Sequence, residues 1–302
     1  MQRVVVIVGP TGVGKTKLSV ELAKRLNGEI INGDSMQIYK EMSIGTAKIK
    51  EEEKEGIPHH LFSILSINES NSIYEFQTLV RNKISEIASR NKLPIIVGGT
   101  GLYLKACLYD YEFKESSSND EIIKKYENYS NEELHLELVK LDKETSEKVH
   151  PNNRRRVLRA IQIALENDEN KSSLEAKQEH KPIYDAVIIG LTLDRKVLHH
   201  RQDLRVDQMM EEGLLNEVET LVNNEAFLNN TASQAIGYKE FIPYFKNEIS
   251  LEEAINQVKI HTHQYAKRQY TFFRHQLNVN WVEVDLENFN NVVETANNII
   301  DG

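Results

Sequence analysis

The sequence predicts an α/β fold: a parallel sheet with helices on both faces, plus an all-helical insertion domain. Three observations carry this. Near-continuous apolar runs recur at Val4–Val8, Glu29–Asn32, Pro94–Val97, Asp185–Leu193 and Asn280–Val284, the pattern of strands buried on both sides. Stretches of helical period lie between them. From about Tyr111 to Pro182 the character changes to short charged helices. The implied organisation is a core in two parts, 1–110 and 183–302, divided by an insertion over 111–182.

The first strand runs into Gly9-Pro10-Thr11-Gly12-Val13-Gly14-Lys15-Thr16, which fits G-x-x-x-x-G-K-[ST]. Leu18, Leu22, Ala23 and Leu26 follow at helical spacing, with Gly28 as a stop. Strand, glycine loop and helix in this register make the core P-loop NTPase-like. The glycines let the backbone curl so that several N–H groups point at one oxyanion. Lys15 adds a mobile positive charge, and the Thr16 hydroxyl suits Mg²⁺. The motif implies a bound di- or triphosphate and leaves its identity and fate open.

The second strand ends in Asn32-Gly33-Asp34-Ser35-Met36-Gln37-Ile38-Tyr39. Asp34 projects near the phosphates and can accept a proton from an incoming nucleophile, while Ser35 and Gln37 offer polar contacts. A helix N-cap is an equally good reading of Asp34-Ser35. Tyr74–Arg90 is an amphipathic helix burying Phe76, Leu79, Val80, Ile84, Ile87 and Ala88. The next strand ends in Gly98-Gly99-Thr100 with no acidic residue. Nucleotide-hydrolysing P-loop proteins usually carry one there for Mg²⁺, so a transferase is favoured. Asp194, followed by Arg195, reads as a loop or helix-cap aspartate.

In the insertion, Ser116-Ser117-Ser118-Asn119 is a polar loop, Ser130 and Glu133 form a capping box, and Glu166–Ser173 is a second charged loop. In the helix after Pro151, Arg155, Arg159 and Gln162 share one side, opposite Val157, Ile161 and Ala164. In the long helix after Leu251, Lys259, His263, Lys267 and Arg274 share one face, and Val258, Tyr265 and Phe272 another. Either basic face alone reads equally well as ordinary solvated surface. Two of them in a chain of net charge −9 point to a polyanion site.

The 302 residues and 40% hydrophobic content support a substantial core. Cys107 is the only cysteine, which excludes an internal disulfide and a cysteine-based zinc site. The pairs His59-His60 and His199-His200 lack i, i+4 spacing and read as packing or hydrogen-bonding residues rather than ligands. No basic leader precedes the first strand, and no apolar run is long enough for a bilayer. The expectation is a soluble, cytoplasmic protein with no membrane partner, a monomer by default.

An ordered series of motifs then carries a resemblance. The P-loop and Asp34–Tyr39 are followed by Gly45-Thr46-Ala47-Lys48, Pro58-His59-His60-Leu61 and Val97-Gly98-Gly99-Thr100-Gly101-Leu102-Tyr103. His150-Pro151-Asn152-Asn153, Ala235-Ile236-Gly237-Tyr238-Lys239-Glu240 and Ala266-Lys267-Arg268-Gln269 complete it. Across nearly the whole chain this resembles the tRNA dimethylallyltransferase (tRNA isopentenyltransferase) family. The resemblance implies transfer of a dimethylallyl group from its diphosphate to N6 of adenosine at tRNA position 37. The P-loop, Gly9 to Thr16, would then hold the donor diphosphate rather than ATP, with Arg195 and Arg201 as further diphosphate contacts and Mg²⁺ on Thr16. Asp34 would be the general base, Thr100 would lie near the leaving oxygen and the tRNA, and Lys15 and Arg201 would stabilise the leaving group. Ser35, Met36 and Gln37 would face the nucleoside. The insertion, with Arg155, Arg156 and Arg159, would grip the anticodon stem-loop, and Gly237, Tyr238 and Lys239 would lie along the RNA. One departure is Ile122-Ile123-Lys124-Lys125, where family members often carry an arginine. The runners-up are a P-loop transferase acting on a free nucleotide or metabolite (an adenylate prenyltransferase or an ATP-using kinase) and a non-catalytic RNA binder.

Overall fold

A computed structural model describes residues 1–69, 71–111, 120–166 and 180–302. Among the described residues six strands form one sheet: β1 Arg3–Val8, β2 Gly28–Asn32, β3 His59–His60, β4 Leu93–Gly98, β5 Asp185–Thr192 and β6 Asn280–Glu283. Their order is β3-β2-β4-β1-β5-β6, and every neighbouring pair is parallel. The edge strand β3 is absent from the sequence reading because two residues display no periodicity. It is held by pairing with Ile30 and Ile31.

The central strand β1 shows how both faces are buried. Val4, Val6 and Val8 join one apolar cluster with Phe76, Val80, Leu104 and Phe273, whereas Val5 and Ile7 join another with Leu18, Leu22, Val292 and Ala296. Period-two alternation of side chains makes a run of five apolar residues the natural filling for a two-sided layer. The first cluster is supplied by α2 Ile73–Ser89, α3 Gly101–Leu108 and α12 Leu251–Gln276. The second is supplied by α1 Lys15–Arg25 and α13 Phe289–Asp301.

The chain forms two compact units, Met1–Tyr109 with Pro182–Gly302, and Asp110–Lys181. Within the second lie α4 Asp120–Lys125, α5 Asn131–Leu141, α6 Lys143–Lys148 and α7 Arg154–Glu166. Its core is Tyr126, Leu134, Leu138, Val149, Val157, Ala160 and Ile161. The Ser130–Glu133 capping box is formed reciprocally. Arg154 is consumed structurally: its guanidinium donates to the carbonyls of Tyr126, Glu127 and Tyr129. The loops read at Ser116–Asn119 and over 167–173 lie outside the described residues.

The α7 face requires a correction. Gln162 is buried with Ile161 and accepts a hydrogen bond from the Arg159 side chain at 3.5 Å, so it does not belong to the exposed basic side. Arg155, Arg156 and Arg159 are exposed. Gln162 is tolerated inside because a hydrogen-bond partner satisfies its amide.

The remaining core helices are α8 Arg195–Glu211, α9 Leu214–Val222, α10 Glu225–Asn229 and α11 Ile242–Phe245. Asp194 caps α8 by accepting from the N–H groups of Lys196 and Val197. The α12 basic face is also revised: Lys259 pairs with Asp207 at 2.6 Å and His263 with Asp203 at 2.8 Å, both on α8. His263 stacks on His199 at 3.9 Å. Lys267 and Arg274 remain exposed. His60 meets Glu29 at 2.7 Å and His59 the Ile57 carbonyl at 2.8 Å, which accounts for that pair through hydrogen bonding.

Candidate active site at the carboxyl ends of the strands

Four of the strands end in loops that carry the chemistry-bearing residues. β1 gives the P-loop, β2 gives Asp34, β4 gives Thr100 and β5 gives Asp194 with α8 behind it. In open α/β sheets the crevice beyond the carboxyl ends is where ligands bind.

The P-loop backbone is curled by Gly9, Gly12 and Gly14, whose φ angles are 147, 85 and 109°. Val13 is buried beneath it, and α1 begins at Lys15, aiming its first N–H groups at the loop. Lys15 bends back, its Nζ donating to the Pro10 carbonyl at 2.8 Å. Thr16 is exposed at the helix start. The loop is pinned from α8: Arg201 Nε donates to the Gly12 carbonyl at 2.9 Å, and Gln202 Nε2 to the Thr11 carbonyl at 2.9 Å. Burial pushes the Lys15 ammonium down to about 8; the Asp34 charge works against that, and Arg205 works with it.

Arg205 was not singled out from sequence, although it sits one helical turn after Arg201 on the same side of α8. It is half-buried, its Nη2 is 3.5 Å from the Ala47 carbonyl, and its Nε is buried without a hydrogen-bond partner. Burial lowers its pKa, opposed by the charges of Glu53 and Glu212, with the neighbouring Arg201 adding a smaller push in the same direction as burial. Lys15, Arg201 and Arg205 thus bring positive charge to the loop, with Asp34 facing Lys15, and Glu53 and Glu212 facing Arg205. Arg195 is placed differently. It is exposed on the first turn of α8, six residues and so roughly 120° around the helix from Arg201.

On the acceptor side, Asp34 heads a tight turn rather than a helix. Its Oδ1 accepts from the Met36 N–H at 2.9 Å. Asn32, fully buried, grips the same residue from behind: its Oδ1 accepts from the Asp34 N–H and its Nδ2 donates to the Asp34 and Leu61 carbonyls. Burial raises the Asp34 pKa, opposed by the Met36 hydrogen bond, Lys15 and the Gln37 backbone. A carboxylate raised in this way is a better proton acceptor near neutrality.

Thr100 comes to Asp34 through a backbone crossing. A Cβ on Gly98 would lie 2.1 Å from the Gly33 carbonyl oxygen, so the two loops meet where no side chain fits. The Thr100 hydroxyl accepts from the Ser35 N–H at 3.3 Å and is bonded to the Tyr265 phenol. Tyr265, read from sequence as part of an apolar face, is therefore a site residue. Burial, followed by the Asp34 charge, pushes its hydroxyl up to about 12. Gln269 and Phe272 continue the same α12 stripe: Gln269 Nε2 donates to the Gly99 carbonyl at 2.9 Å, and Phe272 covers Gly101.

The sequence model of the IPP transferase family matches residues 37–276. A tRNA dimethylallyltransferase of Anoxybacillus flavithermus is 50% identical over 283 residues, covering 94% of this chain and 91% of its own. The chain belongs to the IPP transferase family. Family members with solved structures are superimposable. The tRNA delta(2)-isopentenylpyrophosphate transferase of Staphylococcus epidermidis is 44% identical with a TM-score of 0.71, and covers 99% of each chain. A eukaryotic dimethylallyltransferase acting on tRNA is 32% identical with a TM-score of 0.85, covering all of this chain and 80% of its own.

Of Gly237-Tyr238-Lys239, implied by the resemblance to lie along the RNA, the first two are enclosed. Gly237 is buried, and Tyr238 is 0% exposed with its hydroxyl donating to Glu217 at 2.6 Å. A ring enclosed in the core cannot lie along an RNA. Lys239 is half-buried beside Glu240, at 3.7 Å.

Proposed function

We infer that this chain is a tRNA dimethylallyltransferase, moving a dimethylallyl group from dimethylallyl diphosphate to the exocyclic N6 of adenosine at tRNA position 37, beside the anticodon. The observation that carries the reading is the adjacency of its two halves. The phosphate-cradling Lys15 and the carboxylate of Asp34 perturb each other's titration, in a chain half identical to enzymes of that name.

Adenine N6 is a poor nucleophile because its lone pair is delocalised into the ring. As N6 bonds to the allylic carbon, the carbon–oxygen bond to diphosphate breaks, and Asp34 takes the N6 proton. The departing oxygens gain charge, which Lys15, Arg201, Arg205 and the P-loop N–H groups stabilise. Asn32 and the Met36 N–H hold Asp34 in place for this proton transfer. The Thr100–Tyr265 pair lies against the same carboxylate and supports a role for Thr100 next to the leaving oxygen. The adenosine must leave its stack to enter the crevice. Arg155, Arg156 and Arg159 supply exposed positive charge in the insertion for RNA phosphates.

Mg²⁺ fits the donor set through Thr16. One exposed hydroxyl beside the cradle suits an ion that keeps waters and takes most of its oxygens from phosphate. Bound there, it would neutralise charge on the diphosphate oxygens. Among the described residues no helix is long and apolar enough to cross a membrane. We assign the reaction to the cytoplasm, where a tRNA substrate is met, with a monomer as the default form.

The test is incubation with Mg²⁺, dimethylallyl diphosphate and unmodified tRNA, followed by mass spectrometry of the digested nucleosides. A prenyl increment on adenosine, dependent on the diphosphate, is expected. Product on free AMP instead, or phosphoryl transfer from ATP, would overturn the reading.

A further inference from the structure

Glu217 lies on α9 and plays no part in the site described above, yet it is the most heavily bonded side chain near it. Its carboxylate accepts from the N–H groups of three consecutive residues: Ser43 at 2.9 Å, Ile44 at 2.9 and 3.1 Å, and Gly45 at 3.1 Å. The buried Tyr238 hydroxyl donates to the same group at 2.6 Å. The fit around Gly45 is close, since a Cβ there would come within 2.6 Å of the Tyr238 ring. Tyr238 is fixed in turn by its neighbour: the Gly237 N–H donates to Glu240, which also holds His261 of α12 at 2.7 Å.

The anchored turn, residues 43–48, reaches the acceptor loop at two points. The Thr46 carbonyl accepts from the Gln37 side-chain amide at 2.8 Å. Since a carbonyl only accepts, this bond fixes which end of the Gln37 amide faces the turn. Lys48, at the other end, donates to the Tyr39 carbonyl at 2.6 Å and to Ser63 Oγ at 2.8 Å. Ala47, Leu61 and Ser63 all adopt left-handed backbone at φ of 53, 64 and 52°, a conformation that non-glycine residues hold only when their surroundings impose it.

We propose that Glu217 and Tyr238 are positioning residues for the acceptor half of the reaction: by clamping the 43–45 backbone they set Gln37 and the Asp34–Tyr39 loop against the incoming nucleoside. This rests on the function inferred above. It also gives the buried Tyr238 of the Gly237-Tyr238-Lys239 motif a task. Three backbone N–H groups converging on one carboxylate make a strong, directional anchor, and a displacement of about 1 Å in a reacting group can cost on the order of a hundredfold in rate.

The experiment uses the full chain, dimethylallyl diphosphate and unmodified tRNA, with Glu217→Gln, Tyr238→Phe, Gln37→Ala and the Glu217→Gln/Gln37→Ala double variant. Single-turnover rate, affinity for each substrate and thermal midpoint are measured. The expected result is a rate lowered roughly tenfold or more in Glu217→Gln, a smaller fall in Tyr238→Phe, and unchanged affinity for dimethylallyl diphosphate. The double variant is expected to lose less than the product of the two single losses, because both changes share the Gln37–Thr46 contact. A full rate in a folded Glu217→Gln, rate losses that multiply in the double variant, or a loss matched by the unfolded fraction would overturn the proposal. If Glu217→Gln does not fold, Tyr238→Phe, which keeps the buried ring, decides by the same rate criterion. An unsubstituted chain inactive on tRNA would overturn the functional reading itself, and this proposal with it.

Discussion

The two halves of the crevice are built on opposite plans. The proposed diphosphate side is local: eight consecutive residues, Gly9 to Thr16, curl into a cradle braced by α8. The acceptor side is distributed. Asp34 is held by Asn32 within its own loop, but Gln37 depends on a turn anchored by Glu217 and Tyr238, about two hundred positions further along the chain. Phosphates are small, alike and satisfied by backbone N–H groups, so a short motif suffices. A nucleoside edge needs side chains at set distances, and only tertiary packing can set them.

That contrast is tested most severely at Asp34. Replacing it by asparagine should lower transfer by roughly 10²–10⁴-fold while dimethylallyl diphosphate still binds, as calorimetry would report; retained turnover would remove Asp34 from proton transfer. Next in size is Arg205→Ala, which takes a half-buried cation from beside the proposed cradle. Its affinity for the diphosphate should drop about tenfold to a hundredfold, the range for a charged hydrogen bond of about 1.5–3 kcal/mol. No change would mean that the unpaired Nε faces something other than phosphate.

The pH profile should show both halves in one curve. Asp34 is raised, so kcat/KM climbs as its carboxyl loses a proton. Lys15 in the free enzyme sits at about 8, so kcat/KM falls above that pH as the ammonium is lost. With diphosphate bound, the added negative charge favours the ammonium, and the alkaline limb of kcat alone should move upward. A profile flat from pH 7 to 10 would contradict the burial of Lys15. The smallest effect belongs to the insertion: Arg155→Ala or Arg159→Ala should weaken tRNA binding and reduce its log–log salt slope by at most about one unit each. Tyr238→Ala, by contrast, should lower the thermal midpoint and leave that slope alone.

Five of the strands and the residues of the cradle were readable because each is encoded by neighbours: an apolar run, a glycine spacing, a capping box. Tyr265 was hidden for the opposite reason. Its i, i+7 relation to Phe272 fits an apolar stripe, and only the packing of α12 on Gly99 and Gly101 brings its hydroxyl to Thr100. Lys259 and His263 looked like free basic surface until α8 supplied Asp207 and Asp203. Glu217 had no signature, being one acid in the first turn of a short helix, a position where an acid is unremarkable. Tyr238, named only through the family resemblance, is enclosed in the core, because a motif residue can serve the fold as readily as the substrate.

The chain leaves and re-enters the core side by side. Tyr109 pairs with Pro182, and just beyond them the Asp110 N–H donates to the Lys181 carbonyl while the Lys181 N–H donates back to the Asp110 side chain. For the sheet, the seventy-two residues from Asp110 to Lys181 are topologically a single surface loop. Closing such a loop costs little more entropy when it is long than when it is short. The insertion is thus a cartridge in this architecture: its length can change without any strand of the sheet having to change its neighbours.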